Sequence, residues 1–417
     1  MTDRSRPVVL VTKTATQNQG NQALSIAWRD FLVDCYPERS VRLVERGPAY
    51  LKRYRLSSIA KDRDPVAAFD RIAEKLVAAV PERPDRDPST GTVRHDASQK
   101  QAVRFLKLRR MLNLRGRLMQ LGVGRGAYLD RLSYLCNAGL LVVNPAGEFY
   151  NRATDTALHY LLETRCAQLA GVPVAFVNLS YEIEDPALLR IARHVLDQCD
   201  LVEFRDEESR RHFAANGGAA DPVILPDGAT MAPVERAEQR GGRGLALAIN
   251  ALQVNHYDLV EPWNALVARL VEREPVTLTS NEWTTDHPFW SRYLSMDGVS
   301  AEGRTLPFDE YARLLSQFDV VVSSRLHTCV LGLVAGVPIV PVETGTFKLT
   351  GFFNMIGMGD EPIRMEGEDW QDRILERIDA VTANREARLQ AQDDAIAKAR
   401  AEFARVLGRR FGEIELR

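Results

Sequence analysis

The stretch from Phe318 to Gly357, FDVVVSSRLHTCVLGLVAGVPIVPVETGTFKLTGFFNMIG, leaves its chain little choice of architecture. Asp319 to Val322 is a β-branched apolar run of strand length, and Ser323 or Ser324 then offers a side-chain oxygen to cap the free N–H groups of a helix. Leu326, Val330, Leu331, Leu333 and Val334 give that helix a wide buried face, Gly336 supplies a left-handed stop, and Pro338 opens a second strand over Ile339 to Val342. Strand, helix and strand in this order make a βαβ unit.

Arg325 and His327 fall in the first turn of the helix, beside free N–H groups and the positive end of its dipole. An anion belongs at such a place. Arg325 is suited to clamp a carboxylate or phosphate, His327 to act as a general acid beside it, and Lys348, beyond the second strand, to close the same pocket. The plainer alternative makes Arg325 the partner of a surface carboxylate and His327 an ordinary capping histidine.

The run S-R-L-H from Ser324, an apolar helix ending G-V-P, a strand, a glycine turn and Phe347-Lys348 together resemble the C-terminal signature of the polysaccharide pyruvyl transferase family. That resemblance implies a two-domain fold like that of the GT-B glycosyltransferases. It also implies transfer of the pyruvyl group of phosphoenolpyruvate to two neighbouring hydroxyls of a saccharide as a cyclic ketal, with Arg325, Ser324, Lys348 and a further arginine holding the donor.

Composition agrees with two domains. A chain of 417 residues, 45% of them apolar, can bury two cores of ordinary size. A net charge of −2 gives no overall attraction to nucleic acid. The five cysteines are scattered, without the paired spacing of a metal site, which suggests reduced thiols and predicts no structural zinc. Arg4 and Arg6 precede no apolar segment of signal-peptide length, so the expected location is cytoplasmic, with no metal and no cofactor beyond the donor itself.

Two Rossmann-like parallel-sheet domains facing a cleft are expected, over 1–235 and 244–417, the first on the acceptor side and the second on the donor side, with a polar, glycine-rich linker from Glu235 to Gly244. Val8 to Val11 is a buried strand, and the polar loop after it leads through Asn18, Gly20 and Asn21 into a helix, where doubly wound folds bind ligands. Asn18 and Gly20 match the family's N-terminal pattern, while Asn21 stands where an aspartate is common. Residues 51–135 interrupt the rhythm as a basic helical insertion. Its 97–129 portion carries eight basic residues and no acidic one, a candidate for peripheral contact with an anionic membrane bearing a lipid-linked glycan.

Leu140 to Val143 is a strand followed by Asn144, Pro145, Ala146, Gly147 and Glu148, a loop with one glycine where the family has several. Asn144 and Gly147 are candidates for acceptor contact, and Glu148 for the base that accepts a hydroxyl proton. Arg205, at the end of the strand Leu201 to Phe204, resembles the family's Arg-Asp pair and is the second anion clamp. Asn281 and Trp283, in the loop after the strand Val276 to Thr279, offer a polar and aromatic face to a sugar. Two other functions remain open on the sequence: a GT-B glycosyltransferase using a nucleotide sugar, and a non-catalytic glycan-binding relative.

Overall fold

Short runs of buried, largely β-branched residues alternate with amphipathic helices along the whole chain, and they pair into two parallel sheets. The computed structural model describes residues 6–46, 54–82, 87–95, 125–151, 153–237, 241–303, 306–359 and 361–417. In the first sheet the order is Val223–Ile224, Leu201–Phe204, Val174–Leu179, Leu140–Val143, Val8–Thr12, Val41–Glu45 and Ser89–Thr90. All neighbours run parallel except the last pair, in which Thr90 lies opposite Leu43. The second sheet is parallel throughout, in the order Val299–Ala301, Val276–Leu278, Leu245–Ala248, Val320–Ser323, Ile339–Glu343 and Ile363–Arg364.

Each sheet reverses its winding at one point. In the first, Val8–Thr12 has Val41–Glu45 on one side and Leu140–Val143 on the other; in the second, Leu245–Ala248 lies between Val276–Leu278 and Val320–Ser323. Loops leaving the carboxyl ends of strands at such a reversal diverge to opposite faces and open a crevice. The two crevices carry the loop to Asn18 and the loop from Asn144 in one sheet, and Asn250 and Ser324 in the other.

Side-chain alternation sorts the core into three layers. Val9 and Val11 face an outer core of the first sheet, and Leu245, Leu247, Val320 and Val322 face an outer core of the second. Val8, Leu10 and Val142 of the first sheet and Ala246, Val321 and Ile339 of the second share one continuous apolar seam between the sheets. The helix Gln19–Cys35 runs through that seam, its Trp28 fully buried.

The last helix, Arg385–Gly412, crosses back from the second sheet to complete the seam. Phe403 and Phe411 lie edge-on or tilted against Trp28 at 6.5 and 6.3 Å between ring centroids, and Tyr36 donates its hydroxyl to the Phe411 carbonyl at 2.7 Å. Arg417 N–H then bonds the Gly139 carbonyl of the first domain at 3.1 Å.

The helix Val260–Arg273 is preceded by a separate short one, Ala251–His256, and the C-terminal helices Trp370–Ala383 and Arg385–Gly412 are parted at Asn384. Ser89–Thr90 supplies an edge strand, antiparallel to Val41–Glu45. Of the proposed insertion, the helices Leu56–Ile59, Pro65–Val77 and Arg125–Cys136 are seen, while 96–124, most of the segment considered for membrane contact, lies outside the described residues. No helix among the described residues is long and apolar enough to cross a membrane.

The seam makes the two sheets one cooperative unit. Phe411→Ala is expected to lower the unfolding free energy by about 3–5 kcal/mol while both sheets still melt in a single urea transition. Two separate transitions in wild type would show that the seam does not couple them.

Candidate active site

The two crevices face each other because two helix beginnings are locked together. Asn18 caps the helix Gln19–Cys35, its Oδ1 accepting the Asn21 N–H at 3.1 Å, and the same oxygen accepts from Asn281 Nδ2 at 3.2 Å. Gln19 N–H bonds the Asn281 carbonyl at 3.0 Å, and Thr328 Oγ1 donates to Asn281 Oδ1 at 3.1 Å. Asn18 and Asn281 therefore spend their side chains joining the domains, although both also border the cavity. Gly20 sits directly on His327: a Cβ there would lie 2.0 Å from the imidazole Cγ. Only a glycine lets the helices approach this closely.

Between the crevices lies a cavity of about 480 Å³, lined from both domains. On its second-domain wall the helix Leu326–Ala335 begins with Arg325 as N-cap and ends at Gly336 with φ 77°, the left-handed stop expected. The expected serine cap is absent. Ser323 Oγ accepts the N–H of Arg325, one residue too early, and Ser324 Oγ accepts the N–H of Asn250 at 2.9 Å. The N–H groups of the first turn thus have no side-chain cap.

Arg325 lines the cavity but is not an open clamp. Its Nε donates to Asp286 Oδ2 at 2.8 Å, its Nη2 to Asp286 Oδ1, and its Nη1 to Glu282 Oε2 at 2.8 Å. Two carboxylates more than offset one guanidinium, so the sequence expectation of a free anion-binding charge here needs correction.

The cationic wall is formed instead by Arg205 and Lys348. Arg205 donates through Nε to Ser180 Oγ at 2.6 Å and through Nη1 to Asp227 Oδ2 at 2.7 Å, which leaves Nη2 toward Gly147. Lys348 begins the helix Lys348–Met355, whose Gly351 packs so closely on Asp206 that a Cβ would come within 2.9 Å. That contact carries Lys348 up to Arg205, with Gly147 between them: a Cβ on Gly147 would fall 3.3 Å from Arg205 Nη2 and 3.5 Å from Lys348 Nζ. The ammonium of Lys348 lies 5.3 Å from the Tyr150 ring centroid and, among the described residues, has no ion-pair or hydrogen-bond partner. Burial, and then neighbouring Arg205, pull its pKa below the ordinary lysine range. A half-buried cation without a hydrogen-bonded partner, next to an arginine, favours a ligand of negative charge.

Asp227 joins the cationic wall to His327. Its Oδ2, already bonded to Arg205, lies 3.6 Å from His327 Nε2. Burial opposes its ionisation, but the facing His327 and Arg205 outweigh burial and hold the carboxyl well below the usual range. Beneath it is Glu203, fully buried, with Oε2 accepting the Asn178 N–H at 2.5 Å and Oε1 unpartnered. Burial pushes the Glu203 carboxyl up to about 8. Neither acid was singled out from the sequence; only folding brings them beneath His327.

Other expected residues are placed differently. Glu148 is gripped by Lys13 at 2.5 Å and by Arg46 at 2.5 Å, and although burial raises its pKa, these cations bring it below the normal carboxylate value. A carboxylate stabilised in this way is a poor base, so that expectation is corrected. Glu182 also lines the cavity and, among the described residues, its side chain makes neither a hydrogen bond nor an ion pair. Asn144 is buried and closes its own loop, accepting the Ala146 N–H at 3.2 Å, and does not line the cavity. Trp283 also lies off the cavity, stacked on His287 at 5.6 Å and edge-on to Trp290 at 4.8 Å, because its segment is a helix, Trp283–Trp290, rather than a loop. Asn21, Gly147 and Ser324 do line it. At the rim are exposed Leu252 and Tyr257, the latter backed by Gly345, where a Cβ would meet the ring at 2.6 Å.

The sequence profile of the polysaccharide pyruvyl transferase family matches residues 18–346, from the N-cap Asn18 to within two residues of Lys348. Among curated proteins no sequence matches the chain. Among solved structures, an α,α-trehalose-phosphate synthase (UDP-forming) from Burkholderia vietnamiensis is similar with TM-score 0.52 at 13% identity, over 98% of this chain and 100% of that one. The Methanocaldococcus jannaschii UDP-GlcNAc 2-epimerase, in complex with UDP-GlcNAc and UDP, gives TM-score 0.50 at 10% identity, over 90% and 92% of the two chains. At such identities the likeness is one of fold, and the fold is that of GT-B glycosyltransferases and epimerases.

Two substitutions test this geometry. Gly→Ala inside a helix ordinarily gains up to about 1 kcal/mol; Gly20→Ala is expected instead to lower the thermal midpoint, because its methyl group overlaps His327. Glu203 is protonated in the folded protein up to about pH 8, but in the unfolded chain only to about 4.5. Folding takes up a proton between those values, so this group's contribution to stability is lost as pH rises through the window. Urea titrations at pH 5 and 8 should show Glu203→Gln gaining on wild type by on the order of 3 kcal/mol across the interval.

Proposed function

From the premise that this chain belongs to the polysaccharide pyruvyl transferase family, we propose that it moves the pyruvyl group of phosphoenolpyruvate onto two neighbouring hydroxyls of a saccharide or lipid-linked glycan precursor, forming a ketal. The observation that carries the reading is the unpartnered Lys348 ammonium beside Arg205 Nη2, with His327 lining the same cavity. Phosphoenolpyruvate has two anionic groups to be held and one methylene to be protonated. Arg205, Lys348 and the uncapped N–H groups of the Leu326–Ala335 helix hold the anions. Arg325, its charge offset by Asp286 and Glu282, fixes the first turn that carries His327.

His327 gives a proton to the methylene carbon as the double bond's electrons form the new C–H bond, and an acceptor hydroxyl adds its oxygen to the neighbouring carbon. Inorganic phosphate then leaves and the second hydroxyl closes the ring. Of the two hydroxyl protons, one replaces the proton spent on the methyl group and the other departs with phosphate. Glu182 is the carboxylate with lone pairs available to an incoming hydroxyl, and the Tyr257 rim suits the apolar face of a sugar. The scheme draws on no cofactor and places the enzyme in polysaccharide or cell-surface glycan biosynthesis, acting from the cytoplasm.

Phosphoenolpyruvate is expected to raise the thermal midpoint of the wild-type protein. Lys348→Ala should weaken its binding by about 10–100-fold, the loss of one buried charge-assisted hydrogen bond. A midpoint raised by nucleotide sugars and not by phosphoenolpyruvate would point to glycosyl transfer instead.

A further inference from the structure

We propose that Asp227 is the positioning residue of the site, holding His327 through Nε2–H so that Nδ1 is the nitrogen that exchanges protons with the contents of the cavity. The ring has two nitrogens and they are not equivalent here. Nε2 is buried, without a hydrogen-bond partner, and faces Asp227 Oδ2 at 3.6 Å, while His327 itself lines the cavity. A group in the cavity therefore meets the ring on its other nitrogen.

Asp227 is built to stay where it is. It is 1% exposed, its Oδ1 accepts the Ala229 N–H at 2.9 Å, and its Oδ2 accepts Arg205 Nη1 at 2.7 Å. Those bonds fix both oxygens and keep the carboxylate charged, and a fixed negative charge favours the tautomer that points its N–H toward it. The flipped ring would bring a carbon to Asp227 and lose that attraction. On the opposite side Gly20 covers the ring, and a side chain there would come within 2.1 Å of Nδ1. Aspartate behind and glycine in front thus define which nitrogen remains usable.

The role in catalysis rests on the pyruvyl-transfer reading, but the tautomer does not. In the reaction the Nδ1–H bond breaks as the methylene C–H bond forms, the electron pair stays on Nδ1, and the Nε2 proton remains between ring and Asp227. A hydroxyl proton then restores Nδ1, and the carboxylate is never protonated.

The test is nitrogen-15 NMR of histidine-labelled, otherwise deuterated full-length protein without substrate, with the His327 signals assigned through His327→Gln. In the neutral ring the proton is expected on Nε2. In Asp227→Asn, with folding checked by circular dichroism, that preference should be lost and signal from the Nδ1-protonated form should appear. A wild-type ring protonated on Nδ1 overturns the proposal, as does an unchanged tautomer in a folded Asp227→Asn. Should that variant not fold, the wild-type spectrum decides by itself. Failure of the pyruvyl-transfer reading would appear separately, as absence of a phosphoenolpyruvate-induced thermal shift.

Discussion

Everything at the cavity depends on the apolar seam between the sheets. Hydrogen bonds across it, such as those of Asn18, Gln19 and Asn281, are directional but individually contribute only about 1 kcal/mol. The buried aromatic and aliphatic side chains of the seam, Trp28, Phe308, Tyr311, Phe403 and Phe411 among them, each contribute more and hold the two switch points at fixed separation. With that spacing set by packing, the close approaches of Gly20 to His327 and Gly351 to Asp206 become possible. The seam supplies the energy and the glycines the fit.

Within the cavity, charge is arranged by pairing. Lys13 with Glu148, Arg325 with Asp286 and Glu282, and Arg205 with Asp227 are each balanced or nearly so. Buried ions tolerate low dielectric only when matched, and removal of one partner exposes the full desolvation cost of the other. Against this background Lys348 and Glu182 differ, since neither has a hydrogen-bonded or ion-paired partner among the described residues. One belongs to the donor and the other to the acceptor in the proposed chemistry; the two attract each other across the cavity, but neither is tied to a fixed partner.

Much of this was legible in the sequence because it is local. The βαβ unit around Ser324 follows from spacing and Gly336 from the need for a left-handed stop, while the helix expected after the polar loop begins inside it, at Gln19, with Asn18 as its cap. His327 and Lys348 were picked out by residue type beside a helix beginning and a strand end, Arg205 by its likeness to the family's Arg-Asp pair, and all line the cavity. What was missed depends on distance along the chain. Arg325 meets Asp286 from 39 residues away, and Glu148 meets Arg46 from 102. Asp227 was passed over because His327, a hundred positions later, is what makes it a site residue. Trp283 was misread because the segment carrying it, with Pro288 inside, forms a helix despite its loop-like composition.

The helix Arg385–Gly412 has a further consequence, for the order in which the protein can be made. Phe403 and Phe411 leave the ribosome long after Trp28, yet they complete the packing around it. Domains usually fold as they emerge, amino-terminal first. Here the helix that carries Trp28 keeps part of its apolar face uncovered until Arg385–Gly412 has been synthesised. A chain cut short before Phe403 leaves that face open to other chains, the kind of exposed apolar surface from which aggregation starts.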